Sequence, residues 1–239
     1  MNVRSFVIRM AAVLACLTPR LAAAQSPGRD AAFLFAYRAK PGMDVEFAQG
    51  YRRHLDWHAA HNDSLPWLAW TVIDGPSLGT FVDGTFGIAF KSFDDRVDPR
   101  GDGEDAGRNV SAFANATDRQ VLRLRRDLSP SSRLESNAAA AMQRVVSLTM
   151  KPGAETSAEQ QLRTLAAKRA SLDYAVYERV SGGDLPGYVV VVQFNAWAEL
   201  AGSDADPART IVRALGANVT RVQSETWVYR PDLTYVPKR

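Results

Sequence analysis

The sequence is poor in cysteine and histidine, with one cysteine and three histidines among 239 residues. Because Cys16 lies in an N-terminal segment that we expect to be removed, the mature chain can form no disulfide and can use no thiol nucleophile. The sequence also lacks a Gly-x-Ser-x-Gly elbow, a P-loop and a Gly-x-Gly-x-x-Gly fingerprint. Covalent serine chemistry and nucleotide binding are therefore unsupported.

The N-terminus has the layout of a secretory signal. Two arginines, Arg4 and Arg9, precede an apolar run at 10–17, and three alanines at 22–24 end the segment. The apolar run is too short for a membrane span, which needs about 20 apolar residues. We therefore predict a signal peptide over residues 1–24, cleaved after Ala24, and a periplasmic or secreted mature protein. A Val-Leu-Ala sequence before Cys16 leaves lipoprotein processing, with a lipid anchor at Cys16, as the alternative.

The leader also accounts for the net positive charge of the chain. The full sequence has a formal charge of +3, and residues 1–24 contain three arginines and no acidic residue. The remaining residues therefore sum to zero. We expect no binding to nucleic acid, because that function is typical of a strongly basic surface.

The mature part contains an internal repeat. Three local matches occur in the same order in both halves: a Lys-Pro-Gly turn, a glycine before an apolar segment, and an Asn-x-Thr pair. Their positions are 40–42 and 151–153, Gly84 and Gly187, and 115–117 and 218–220. Their shared order indicates two tandem units, at 25–128 and 142–239, joined by a linker at 129–141.

Each copy has the pattern strand, helix, strand, strand, helix, strand. In the first copy, the strands are predicted at 33–38, 67–73, 85–90 and 119–125, and the helices at 44–62 and 105–114. In the second copy, the strands are predicted at 145–150, 172–180, 188–194 and 220–229, and the helices at 157–170 and 207–215. The order βαββαβ is that of a ferredoxin-like α+β unit. In such a unit the helices cover one face of the antiparallel sheet and leave the other face apolar and uncovered. Two such sheets are expected to pack against each other through their uncovered faces.

These features resemble the dimeric α+β barrel superfamily. That group includes antibiotic-biosynthesis-type monooxygenases, EthD-like proteins, stress-responsive barrel proteins and haem-handling relatives. The resemblance rests on the element order, the two Lys-Pro-Gly turns and the Asn-x-Thr pair, and it covers nearly all of the mature chain. It implies a barrel formed within one chain, in a monomer or a homodimer. Because the superfamily hosts unrelated chemistries, the fold does not select one.

The three histidines lie in the first predicted helix, at His54, His58 and His61. At about 100° per residue they share one face. Spacing i, i+4 lets two imidazoles reach one ion, so His54 and His58 are candidate ligands of a divalent metal. The resemblance implies a second possibility, because haem-handling members use a helix histidine as the iron ligand, and His58 would be that residue. Haem and a divalent metal both stay open as cofactors.

Packing is the alternative interpretation of this helix face. Tyr51 belongs to the same stripe, and the second copy has no histidine at all. Trp57 and Trp70, together with Tyr51 and the three histidines, are the candidate residues for binding a small apolar ligand. The acidic stretch at 98–105 does not have EF-hand spacing, and we interpret it as a solvated loop.

Three functions are compatible with this sequence. The preferred one is an exported cell-envelope protein that binds a small apolar or haem-like ligand in the first unit, because aromatic residues and histidines cluster there. The second, implied by the resemblance, is a monooxygenase-type oxidoreductase acting on an aromatic or quinol-like substrate, with His54 or His58 as base. The third is a structural or interaction module with no small-molecule site. The sequence does not decide whether the protein is an enzyme.

Overall fold

The computed structural model describes residues 28–131, 133–168, 173–201 and 206–238. The predicted signal peptide, with Cys16, lies outside the described residues. Within them, the chain repeats the order βαββαβ twice, with eight strands and four α-helices. The predicted α+β class and tandem element order are confirmed.

The first unit differs from its prediction at the second helix and at its last two strands, each of which begins four to six residues before its predicted start. Its elements are β1 (Ala31–Ala39), α1 (Asp44–Ala60), β2 (Leu68–Asp74), β3 (Phe81–Ile88), α2 (Pro99–Ala106) and β4 (Ala114–Leu124). Helix α2 begins several residues before the predicted start at 105. Asp98 caps it by accepting a hydrogen bond from the Gly101 amide at 3.0 Å, and Pro99 occupies the first turn, where its missing N–H has no cost.

The second unit follows its predicted pattern closely. Its elements are β5 (Met142–Met150), α3 (Glu155–Lys168), β6 (Tyr174–Ser181), β7 (Gly187–Phe194), α4 (Pro207–Leu215) and β8 (Val219–Tyr229). Every residue of β7 is buried, as expected for a continuous apolar strand covered on both faces. Helix α4 begins at Pro207, after Asp206, whose side chain accepts hydrogen bonds from two amides of the first turn.

The eight strands form one closed antiparallel barrel in the order β1-β3-β2-β8-β5-β7-β6-β4. Each unit contributes a four-stranded sheet, and the two sheets join at both edges. Val72 of β2 pairs with Trp227 of β8, and Leu122 of β4 pairs with Arg179 of β6. The expected intrachain barrel is therefore confirmed, and its two sheets are hydrogen-bonded to each other as well as facing each other.

Period-two alternation along the strands separates three apolar cores. One lies inside the barrel, a second lies between α1, α2 and the first sheet, and the third lies between α3, α4 and the second sheet. The segment at 129–141, expected to be a linker, packs on the barrel: Leu134 is buried in the barrel core, and Ala139 packs against that core. In the described part of the chain, no helix has the length and apolar character needed to cross a membrane.

Candidate metal centre

Helix α1 buries two of the three histidines against the first sheet. His54 and His58 are only 8% and 4% exposed and lie on the same face as Phe47 and Tyr51. A close approach of the next helical segment covers this face, because a Cβ at Gly50 would lie 2.0 Å from the backbone oxygen of Asn109. The spacing that predicted a shared helix face therefore places both imidazoles in a confined space.

Helix α2 brings two carboxylates to the same place. Asp102 and Asp105 are separated by three residues, so they project from neighbouring positions on one helix face. Asp105 is buried and Asp102 is half-buried. The Nδ1 atom of His54 lies 2.8 Å from Asp105 Oδ2 in a hydrogen bond. Since a carboxylate only accepts, the proton of this bond belongs to His54 Nδ1.

A second carboxylate holds His58 from its other side. His58 Nδ1 lies 2.8 Å from Asp63 Oδ2, in a close contact whose direction departs from an aligned hydrogen bond. Asp63 is itself fixed, because it accepts hydrogen bonds from the Leu65 amide and the Trp67 indole, both at 3.0 Å. Burial raises the pKa of Asp63, but these contacts and His58 lower it more, so its pKa lies below the ordinary value.

The free faces of the two imidazoles converge on one oxygen atom. Asp102 Oδ1 lies 3.5 Å from His54 Nε2 and 3.8 Å from His58 Nε2. The ligating atoms of these three residues all lie within 4.8 Å of one another. Burial is the largest influence on the pKa of His54 and lowers it, although the hydrogen bond with Asp105 acts in the opposite direction. A neutral His54 with its proton on Nδ1 presents a lone pair at Nε2 toward a carboxylate oxygen, and a cation between them would relieve this repulsion.

A buried acid lies beneath the cluster. The hydroxyl of Tyr51 donates to Asp83 Oδ2 at 2.5 Å, and both residues are buried in the first unit. Burial raises the pKa of Asp83 to about 7 and raises the pKa of Tyr51 well above its ordinary value. Asp83 Oδ1 has no hydrogen-bond partner among the described residues. The helix side of the first sheet is thus rich in carboxyl groups held away from water.

The remaining candidates from the sequence lie elsewhere. His61 follows the last residue of α1 and is exposed, with its Nδ1 2.8 Å from the backbone oxygen of Trp57. Trp57 stacks on His61 at a ring distance of 4.0 Å and covers the edge of the cluster. Trp70 points into the barrel core, on the opposite face of the sheet from the histidines. The helix ends before a third histidine can join the other two.

Three carboxylates of this cluster were not among the predicted site residues. The interpretation of 98–105 as a solvated loop is wrong, because Asp102 and Asp105 belong to a helix that packs on α1. The Asp-Pro sequence at 98–99 was the available signal, since an acidic cap followed by proline is typical of a helix start. Asp63 was close in sequence, but its orientation depends on the turn after α1.

Comparison with known proteins identifies the fold. No protein-family model matches the sequence, and no curated protein matches it. An anthrone oxidase-like protein shares the fold with a TM-score of 0.56 and 12% identity, over 88% of this chain and 94% of that chain. A monooxygenase-like protein of Fusobacterium nucleatum has a TM-score of 0.62 and 5% identity, over 85% and 94%. A mutant chlorite dismutase of Candidatus Nitrospira defluvii has a TM-score of 0.56 and 5% identity, over 86% and 93%. The chain therefore has the dimeric α+β barrel fold, formed by two units of a single chain.

Proposed function

We propose that the first α+β unit binds a divalent transition-metal ion through His54 Nε2, His58 Nε2 and Asp102 Oδ1. The convergence of these three atoms carries the proposal. Two imidazoles and one carboxylate form a ligand set typical of zinc and of non-haem iron. Contraction of the 3.5 and 3.8 Å separations around an ion would require only small side-chain movements.

The atoms behind the imidazoles support the same proposal. A histidine that binds a metal usually donates its other ring N–H to a carboxylate or carbonyl, which fixes the ring and the tautomer. Asp105 and Asp63 lie at this position behind His54 and His58, each at 2.8 Å. Both carboxylates are buried, and a buried charge lowers the stability of the fold unless it is paired or hydrogen-bonded.

The geometry favours a small ion over haem. A histidine that binds a haem iron must have enough open space beside its imidazole for the whole haem macrocycle. Here both Nε2 atoms face the same carboxylate oxygen, and α2 covers them. The excess of carboxylates around the two histidines also favours a cation over the propionate-bearing haem.

Metal titration of single variants tests the proposal. Protein stripped with a chelator would be titrated with Co²⁺ by visible absorption and with Zn²⁺ by calorimetry. We expect saturable binding at one site, lost in His54→Ala, His58→Ala and Asp102→Ala. Replacement of Asp105 by Ala should weaken binding by about 10- to 100-fold, because it removes the acceptor that orients His54 but leaves the three ligands in place. His61→Ala is the matched control, since His61 belongs to the same sequence cluster but lies outside the site.

Two results would contradict a metal centre at this place. One is equal affinity in wild-type protein and His58→Ala. The other is a wild-type protein that does not bind Co²⁺ but gives a saturable Soret shift with haemin, lost in His58→Ala. That result would indicate a haem site in place of a metal-ion site.

A metal-dependent oxidoreductase is the second candidate function. Three protein ligands leave coordination positions for water or substrate, as in catalytic rather than closed structural sites. The fold neighbours named as an anthrone oxidase-like protein and a monooxygenase-like protein suggest aromatic or quinol-like substrates. Oxygen consumption by the metal-loaded protein with an anthrone would test this role, with Asp102→Ala as the inactive comparison. Metal binding without turnover of such compounds would favour a binding protein.

We further propose that the protein acts outside the cytoplasm. The basic start, apolar run and alanine triplet of residues 1–24 support export by a cleaved signal. Cell fractionation and N-terminal sequencing of the mature protein test it. A first residue of Gln25 is expected, whereas a lipid-modified Cys16 would indicate membrane anchoring instead.

A further inference from the structure

The barrel contains a cavity of about 380 Å³, which lies on the opposite face of the first sheet from the metal centre. The cavity lies toward one end of the barrel, beside the C-terminal part of β5 and the N-terminal part of β7. Leu134 and Ala139 pack into the barrel core toward the opposite end. The inner wall of the cavity is apolar and includes Leu34, Val82, Val145, Val189 and Trp227. Its volume falls within the range of small-molecule sites, which are about 300 to 1,000 Å³.

A buried arginine lines this cavity. Arg179 is only 7% exposed, and its guanidinium donates to the backbone oxygen of Asp184 at 2.9 Å and to Gln120 Oε1 at 3.5 Å. Two glycines make room for it. A Cβ at Gly187 would lie 2.5 Å from Arg179 Nη1, and one at Gly183 would lie 3.3 Å from Nε.

The hydrogen bonds of Arg179 go to neutral groups, although three carboxylates also line the cavity and two of them, Asp118 and Asp184, attract Arg179 electrostatically. Glu225 accepts from the Ser77 amide at 3.0 Å and from the Trp227 indole at 3.1 Å. Asp118 accepts from the side-chain amide of Gln120 at 2.6 Å. Asp184 lies 3.5 Å from Arg221 at the rim. Among the described residues, no carboxylate forms a direct ion pair with Arg179. Burial of a cation is costly unless it is directly paired, so the guanidinium is a suitable partner for a negative group in the cavity.

We propose that the barrel cavity binds a small organic carboxylate. Its carboxylate pairs with the guanidinium of Arg179, and its apolar body lies against Leu34, Val145 and Trp227. Arginine suits this role because its planar fork can bind both oxygens of one carboxylate. The site is independent of the proposed metal centre, since β1 turns Leu34 into the barrel and Phe35 toward the helices.

A matched pair of probes tests the proposal by calorimetry and by quenching of tryptophan fluorescence. The probes are a naphthalene carboxylate and the corresponding neutral naphthalene carboxamide, each titrated in the presence of a chelator. We expect the carboxylate to bind more tightly to the wild-type protein. Arg179→Gln should weaken its binding by about tenfold or more and leave the carboxamide unaffected. Arg209→Gln is the control, because Arg209 is exposed on α4 and far in the fold from the cavity.

A second variant locates the ligand independently of the charge. Ser147 lines the cavity and is half-buried, so Ser147→Phe places a ring in the space without removing a core side chain. We expect this variant to lose both probes while keeping the circular dichroism of the wild type. The proposal is overturned if the wild type binds neither probe, if Arg179→Gln binds the carboxylate unchanged, or if Ser147→Phe retains it. Retained carboxylate binding in His58→Ala would confirm that the two sites are separate.

Discussion

The buried carboxyl of Asp83 should make the protein less stable as the pH rises toward neutrality. Its pKa is raised by burial from 3.8 to about 7 in the folded protein. Below pH 3.8 the group is neutral in both states. Between 3.8 and 7 the unfolded chain ionises it while the folded chain keeps the proton, so the unfolded state gains free energy from ionisation. At 1.36 kcal/mol per pKa unit, this group costs about 4 kcal/mol of stability once the pH exceeds 7.

The substitution Asp83→Asn isolates this contribution. An amide is neutral at every pH, and its oxygen can still accept the hydrogen bond from Tyr51. Urea unfolding of both proteins from pH 4.5 to 8, with a chelator present, gives the free energy of unfolding at each pH. The difference in favour of Asn should grow with pH and level off above about 7.

A further substitution and a clear negative result complete this test. Tyr51 donates a hydrogen bond that lowers the pKa of Asp83, so Tyr51→Phe should move the upper end of the pH window to higher pH. Parallel pH profiles for wild type and Asp83→Asn would refute the reasoning, since they would mean that Asp83 ionises equally easily in both states.

Three other substitutions have expected outcomes that follow from packing. Gly103→Ala, at an exposed position of α2, meets no atom within 4 Å and should raise the free energy of unfolding by about 0.5 to 1 kcal/mol, measured by urea denaturation. Gly50→Ala forces α1 away from Asn109, so it should cost about 1 to 3 kcal/mol of stability and also weaken Co²⁺ binding. Unchanged Co²⁺ affinity would contradict the close packing of the helical segment after α2, which contains Asn109, on α1. Leu134→Ala should cost about 2 to 5 kcal/mol in thermal or urea unfolding, because Leu134 is 2% exposed in the barrel core, whereas a free linker would tolerate it.

Much of the fold was predictable because the hydrophobic patterns and turn signals indicate the same order of strands and helices in both copies of the repeat. The apolar run at 188–194 became a strand buried on both faces, and the Lys-Pro-Gly turns separate strand from helix in both units. The pairing of β2 with β8 and of β4 with β6 was not predictable in register. Those contacts join residues remote in sequence, and no local pattern specifies which edges meet.

The candidate site was predictable only in its helical half. The i, i+4 spacing of His54 and His58 placed both on the buried face of α1. The carboxylates that complete the cluster come from α2 and from the turn after α1, and their positions depend on tertiary packing. Trp70 illustrates the converse limit, because it is near the histidines in sequence but faces the barrel interior. A strand turns alternate side chains to opposite faces, so proximity in sequence does not imply proximity in a site.

Closure of the barrel by β8 has a consequence for how the chain folds. Val72 pairs with Trp227 across about 155 residues of intervening sequence, a separation that is typical of slow, nonlocal folding. While the chain folds, the first unit can form its own sheet, but the edge of β2 stays unpaired until β8 docks. An unpaired edge can recruit another chain, so the newly made protein is most prone to aggregate before its final strand docks. Docking of β8 therefore closes the barrel and removes the unpaired edge through which the chain could aggregate.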